Sequence, residues 1–155
     1  MRRPLLIAAA ALAAAGLAAC EQGRKPVAGI CKAFPAANAQ PVATDGAAVT
    51  EDCLHRWAYT LAGGTDEAAA VGGAVVAACS GPLSRWNQQA LGAAAAGGQP
   101  EQGQSLLTGE TVTPIAQHAA FASDRALFYV VQARAGGCKP PPRREGQPAM
   151  TAPDR

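Results

Sequence analysis

The chain has 155 residues, a formal net charge of +2 and an aromatic content of 5%. With 17 glycines and 12 prolines, much of it lacks the bulky side chains that fill a hydrophobic core, so the folded part is smaller than the length suggests. The near balance of acidic and basic residues argues against a nucleic-acid-binding protein, which would carry a strongly basic face.

The first predicted feature is an N-terminal export signal. Two arginines form a positively charged region, and an apolar run from Leu5 to Leu17 follows, interrupted only by Gly16. The segment Leu17-Ala18-Ala19-Cys20 resembles the lipobox of bacterial lipoproteins, whose pattern is a leucine, two small residues and an invariant cysteine. The resemblance implies diacylglycerol transfer to the Cys20 thiol, cleavage in front of Cys20, and a further acyl chain on the freed amine. Two or three acyl chains anchor a protein firmly to a membrane.

Two other interpretations of this segment stay open. A transmembrane helix needs about 20 apolar residues to cross roughly 30 Å of hydrocarbon, and the run from Pro4 to Ala19 is shorter and dominated by alanine. A soluble signal peptide cut after Ala19 would leave an odd number of cysteines in the mature chain. Acylation of Cys20 leaves an even set that can pair completely in an oxidising compartment. Its members are Cys31, Cys53, Cys79 and Cys138. Cysteine parity therefore favours the lipoprotein.

The residues beside Cys20 bear on where the anchor would lie. In the Gram-negative lipoproteins that this segment resembles, an Asp after the cysteine retains the protein in the inner membrane, whereas this chain has Glu21 and Gln22. The resemblance therefore implies a lipoprotein of the cell envelope, with the outer membrane facing the periplasm preferred. Removing Arg2 and Arg3 from the 13 basic residues leaves 11, equal to the 11 acidic residues. The expected partners are the membrane and an envelope protein, with no nucleic acid.

Composition divides the chain into four segments. Residues 1–19 are the signal peptide, and residues 20–49 are a lipidated tether rich in Ala, Pro and Gly without periodicity. A flexible tether of this length has an average reach of about 30 Å. Residues 50–138 form the predicted domain, and residues 139–155 form a Pro-rich tail predicted to be disordered or partly polyproline II.

The predicted fold is mainly α, a small bundle of about four helices stapled by disulfides. In the first helix Thr50 is the expected N-cap, and apolar residues recur at helical spacing until Gly63-Gly64 ends it. They are Leu54, Trp57, Ala58 and Leu61. Thr65 is the expected cap of a second helix from Asp66 to Cys79, with Val71 and Val75 on one face.

The third helix is predicted from Pro82 to Ala96, with Leu83, Trp86, Ala90 and Leu91 on its apolar face. The fourth begins with Thr113 as cap and Pro114 in the first turn and continues to Gly136-Gly137. Its apolar positions are Ile115, Ala119, Ala122, Ala126, Val130 and Ala133.

One ambiguity lies within the fourth helix. Residues 126–131, ALFYVV, are rich in aromatic and β-branched residues and are also compatible with a buried strand. Helix is preferred because a lone strand has no obvious partner, although residues 106–112 offer a weak one.

The predicted helices suggest a disulfide pairing. A short turn at Gly63-Gly64 makes the first two helices an antiparallel hairpin, which brings Cys53 and Cys79 near the same end. The two arms, measured from the turn to each cysteine, differ in length by about 7 Å. The remaining pair, Cys31 and Cys138, would join the tether to the segment after the fourth helix. Four cysteines allow three pairings, of which this one ranks first.

The motifs for catalysis and metal binding are weak. Cys53, His55 and His118 lack the paired spacing typical of zinc ligands, so neither a metal site nor a catalytic residue nor a cofactor is predicted. Trp57 and Trp86 are interpreted as core aromatics, with an aromatic-lined ligand groove as the alternative.

The segment Cys53-Leu54-His55-Arg56-Trp57-Ala58 is similar to small uncharacterised proteobacterial proteins, a resemblance that implies no activity. Arg56 in this segment and Tyr59 directly after it are assigned to the solvated side of the first helix.

Two hypotheses about function follow. The first is a non-enzymatic envelope lipoprotein that presents its helical domain for contacts with a partner. The alternative is a small-ligand binder or hydrolase that uses a polar cluster of His55, Arg56 and Asp52, with Trp57 beside it.

Overall fold

The computed structural model describes residues 25–35, 41–97, 103–104 and 109–142, with only the backbone of 103–104. Its helices are α1 (Gly46–Leu61), α2 (Ala68–Ala78), α3 (Ser80–Ala95) and α4 (Pro114–Gly136). Two short strands, β1 (Gly103–Gln104) and β2 (Thr111–Val112), pair antiparallel with Gly103 opposite Val112. The predicted mainly α bundle is confirmed. The signal peptide, Cys20 and the tail beyond residue 142 lie outside the described residues.

Helix α1 begins before its predicted start. Asp45 is the N-cap, and its carboxylate accepts a hydrogen bond from the Ala48 amide at 2.9 Å. The prediction of Thr50 as the cap is wrong, because Thr50 lies one turn inside the helix, fully buried, and donates its hydroxyl to the Gly46 carbonyl at 2.7 Å. Residues 46–49, predicted as part of the tether, are therefore helical.

Helix α2 is shorter than predicted. It starts at Ala68 with Glu67 as the N-cap, which makes no side-chain capping bond. The predicted start at Thr65 and Asp66 is wrong, because residues 62–66 form turns and bends that reverse the chain. The predicted apolar face is confirmed, since Val71 and Val75 are both buried.

Helix α3 follows α2 after a single residue, Cys79, and none of its residues is fully buried. Leu83 and Trp86 are half-buried, but Leu91 is 54% exposed, so its assignment to an apolar contact face is wrong. The physical reason is that α3 lies on the outside of the bundle and buries only part of one side.

Helix α4 is the central element and confirms the helical interpretation of residues 126–131. Thr113 caps it by accepting the Ala116 amide at 3.3 Å, Pro114 occupies the first turn, and Gly137 ends it with a left-handed φ of +59°. Its buried residues are His118, Ala122, Ala126, Tyr129, Val130 and Ala133. Ile115 and Ala119, predicted on this face, are exposed, because His118 takes the inward position in that turn.

The core contains many small side chains, which lets the helices approach closely. Its apolar members are Leu54, Ala58, Tyr59, Ala62, Val71, Val75, Cys79, Ala122, Ala126, Tyr129, Val130 and Ala133. At Gly46, an added Cβ would lie 2.6 Å from Cδ1 of Trp86, so the start of α1 can pack against α3 only as glycine.

The predicted disulfide pairing is confirmed. Cys53 at α1 bonds Cys79 after α2 with their Cα atoms 5.9 Å apart, and Cys31 bonds Cys138 after α4 with a Cα separation of 5.6 Å. These separations lie in the usual range for disulfides. Among the described residues, no helix combines the length and apolar character needed to cross a bilayer.

Candidate functional site

The N-terminal segment 25–35 lies on the bundle. The Val27 amide donates to the Ala135 carbonyl at 2.8 Å, and the bridge from Cys31 fixes the segment to the end of α4. This part of the predicted tether is thus packed against the helical domain, contrary to a domain boundary at residue 50. The physical reason is the covalent bridge, which holds a segment without helical periodicity against helices far away in sequence.

Beyond Cys31, the segment reaches a polar cluster between α1 and α4. The Lys32 ammonium donates to Glu51 at 3.0 Å and to the Tyr129 hydroxyl at 2.9 Å, and that hydroxyl donates to Glu51 at 2.5 Å. The hydrogen bond from Tyr129 lowers the pKa of Glu51, and the bond to Tyr129 raises the pKa of Lys32. Burial raises the pKa of Tyr129. The carboxylate and the ammonium therefore both stay charged at neutral pH.

His55 lies beside this cluster in an aromatic box. Its side chain is 2% exposed, and its ring stacks on Phe34 with 4.3 Å between the centroids. The rings of Tyr59 and Tyr129 close the other sides at 4.4 and 4.7 Å. Burial, followed by the nearby Lys32 charge, lowers the pKa of His55 to about 4. The imidazole is therefore neutral near pH 7, and its buried Nε2 has no hydrogen-bond partner.

The other predicted polar residues support this packing. Arg56 donates through Nε to Asp52 at 2.8 Å, one helical turn away, and its guanidinium lies 5.3 Å from the Phe34 ring centre. Trp57 is half-buried against the core. The hypothesised set of His55, Arg56 and Asp52 is therefore adjacent, but its members bind one another or neighbouring rings.

The assignment of Arg56 and Tyr59 to the solvated side of the first helix is wrong, since the Arg56 side chain is only 14% exposed and Tyr59 is fully packed in the bundle. Tyr59 is 3% exposed. Its hydroxyl accepts the Lys32 amide at 2.9 Å and donates to Gln132 at 2.8 Å. The signal available in the sequence was its position one turn after His55, which puts both rings on one side of α1.

A second feature is a cleft of about 530 Å³ between the N-terminus of α1, helix α3 and the first turn of α4, hereafter the Trp86 cleft. The His118 ring stacks on Trp86 with 3.6 Å between centroids, and its Nδ1 lies 2.7 Å from the Asn87 amide oxygen. The cleft volume falls in the range typical of small-molecule sites. Trp86, interpreted from sequence as a core aromatic, therefore lines a partly open cavity.

In the ranges that the structure describes, no three His, Cys, Asp or Glu side chains come together as a possible metal site. The four cysteines in those ranges are all bridged.

Comparison with protein-family models, curated protein sequences and solved structures gave no match.

Proposed function

We propose that the protein is a lipid-anchored lipoprotein of the cell envelope whose helical domain acts through non-enzymatic contacts. The observation that carries the proposal is the use of the five cysteines. Four are paired in the structure, which leaves Cys20, the residue in the lipobox-like segment, for acylation. Two disulfides also suit an oxidising compartment such as the periplasm, where thiols of secreted proteins pair.

The proposed location is the outer membrane, with the domain facing the periplasm. Its support is Glu21 after Cys20, where inner-membrane retention in the lipoproteins that this segment resembles depends on Asp.

The role of the polar residues supports a contact module in preference to a catalyst. A general base must reach a proton on its substrate, and the His55 ring is enclosed by aromatic rings. Arg56 and Asp52 bind each other. The alternative of a ligand binder or hydrolase centred on His55, Arg56 and Asp52 is for these reasons the weaker proposal.

Intact mass spectrometry of the protein extracted in detergent from its native membrane tests the anchor. The expected mass lacks residues 1–19 and includes two or three acyl chains, and reduction adds four hydrogen atoms for the two bridges. The Cys20→Ala variant is the matched control and should carry no acyl chain. A mature protein that retains residues 1–19, or that has no acyl chain, would refute the proposal.

Cross-linking in intact cells tests the contact role. A single envelope protein captured in constant stoichiometry is the expected result. Turnover by the full-length Cys20→Ala chain in a hydrolase screen, abolished by His55→Ala, would instead establish the enzymatic alternative.

A further inference from the structure

Helix α4 carries a partly exposed apolar surface, which α2 borders on one side where Gly72 lies against Leu127. Leu127, Phe128 and Val131 are 42%, 51% and 50% exposed, and these three residues are called the α4 stripe below. They lie on the side of α4 opposite Ala126, which is fully buried. At 100° per residue, Ala135 continues the same side one turn later. In the other direction the exposed Asp124 ends the apolar surface.

The N-terminal segment leaves the domain at the Ala135 end of this stripe. Val27, itself 53% exposed, donates its amide to the Ala135 carbonyl. Val27 is seven positions after Cys20, and a fully extended chain over that distance spans at most about 25 Å. The disulfide between Cys31 and Cys138 keeps the segment attached to the end of α4, so the chain between Cys20 and the domain cannot become longer. An acylated Cys20 would therefore hold the stripe close to the bilayer.

Charge at this end of the domain matches a phospholipid surface. Lys25 is exposed two residues before Val27, and Lys139 is exposed next to Cys138, which is bonded to Cys31. Lysines beside apolar side chains interact with anionic headgroups while the apolar groups enter the interface. Asp124 lies at the far end of the stripe, away from these lysines.

We propose that the α4 stripe, together with Val27, contacts the phospholipid surface in which Cys20 is anchored, so that α4 lies along the membrane. The proposal rests on the acylation of Cys20 proposed above. In this arrangement the domain lies on the lipid surface and is not held away from it on a long tether. Helix α3 and the Trp86 cleft lie on other sides of the bundle.

Quenching by brominated lipids tests the contact in the acylated full-length protein. Phe128→Trp and, as a second position, Val131→Trp are reconstituted in vesicles of phosphatidylethanolamine and phosphatidylglycerol with brominated or ordinary acyl chains. Ile115→Trp is the matched control, since this exposed residue lies on the same helix about 24 Å from Val131 and roughly 160° around its axis. Trp57 and Trp86 are present in every variant and give a common background.

The expected result is a roughly twofold loss of the added fluorescence at residues 128 and 131 in brominated vesicles, with little change at residue 115. Intact mass and flotation with vesicles are measured first on the same samples. A protein without acyl chains that does not float refutes the proposed anchor. An acylated protein that floats but is unquenched at both positions overturns the membrane contact alone. A concentration-dependent dimer that protects both positions also overturns it and assigns the stripe to a second copy of the chain.

Discussion

Mild acid should destabilise the domain through His55. The folded state holds this imidazole neutral with a pKa of about 4, whereas its ordinary value is 6.5. Between these two values the unfolded chain binds the extra proton, so stability is full above about pH 6.5 and is lost as the pH falls toward 4. With one pKa unit worth about 1.4 kcal/mol, the loss between pH 7 and pH 5 is about 2 kcal/mol. The pKa of Glu51 is lowered from 4.5, so its contribution is lost mainly below that window.

Urea unfolding at pH 7, 6 and 5 measures this loss, with Trp57 and Trp86 as reporters and the disulfides intact. The lipid-free Cys20→Ala chain is the parent. His55→Phe keeps a ring in the aromatic box and removes the titrating group, so it should lose about 2 kcal/mol less than the parent over this range. His118→Phe removes the chain's other histidine and should retain the loss due to His55. Equal pH dependence in the parent and His55→Phe would refute the buried, neutral assignment of His55.

Four further predictions concern stability, each measured as a free energy of unfolding in the same background. Replacing both Cys31 and Cys138 by Ala opens a loop of 107 residues and should cost about 2 to 5 kcal/mol, and an unchanged value would mean that the bridge restricts little. Gly46→Ala places a Cβ 2.6 Å from the Trp86 ring and should destabilise by about 1 to 3 kcal/mol. Gly73→Ala, where the added Cβ meets open space on α2, should stabilise by about 0.5 to 1 kcal/mol. A change in the free energy of unfolding of the same sign for both glycine variants would contradict the close packing at Gly46. Thr113→Ala should cost about 1 kcal/mol through the lost cap of α4, whereas Thr113→Ser should retain most of it.

Local signals predicted most of the helices. Thr113-Pro114 and Gly136-Gly137 bracket α4 because capping and turn preferences act within a few residues. The strand-forming residues 126–131 are helical because Ala126, Tyr129, Val130 and Ala133 fall on one buried face, which gives more packing than an isolated strand. The start of α1 was misplaced because Thr50 and Asp45 are both good caps, and only tertiary packing buries Thr50.

The aromatic box was beyond reach of sequence patterns. Phe34 and Lys32 contact residues of α1 and α4 that are tens of positions away in the sequence. The segment that carries them is held by one disulfide and has no helical or strand periodicity that would predict these contacts. The pairing of Cys31 with Cys138 was predicted as the pair that remains once hairpin geometry joins Cys53 to Cys79, but its consequence for the neighbouring residues was not predicted. Once that bridge is given, Lys32 has to lie near the end of α4, and the hydroxyls of Tyr59 and Tyr129 become its available partners.

The same bridge connects the proposed anchor to the core. If Cys20 carries the lipid, any pull from the membrane reaches Cys31 and passes through the disulfide to Cys138 and the last turn of α4. Helix α4 supplies five of the twelve buried apolar residues of the core, so the force enters the domain at a well-packed element and not at the exposed end of α1. The Val27 bond to Ala135 acts in parallel with the bridge. Loss of the bridge should therefore affect both stability and the distance between domain and membrane, since residues 25–35 would then lengthen the tether.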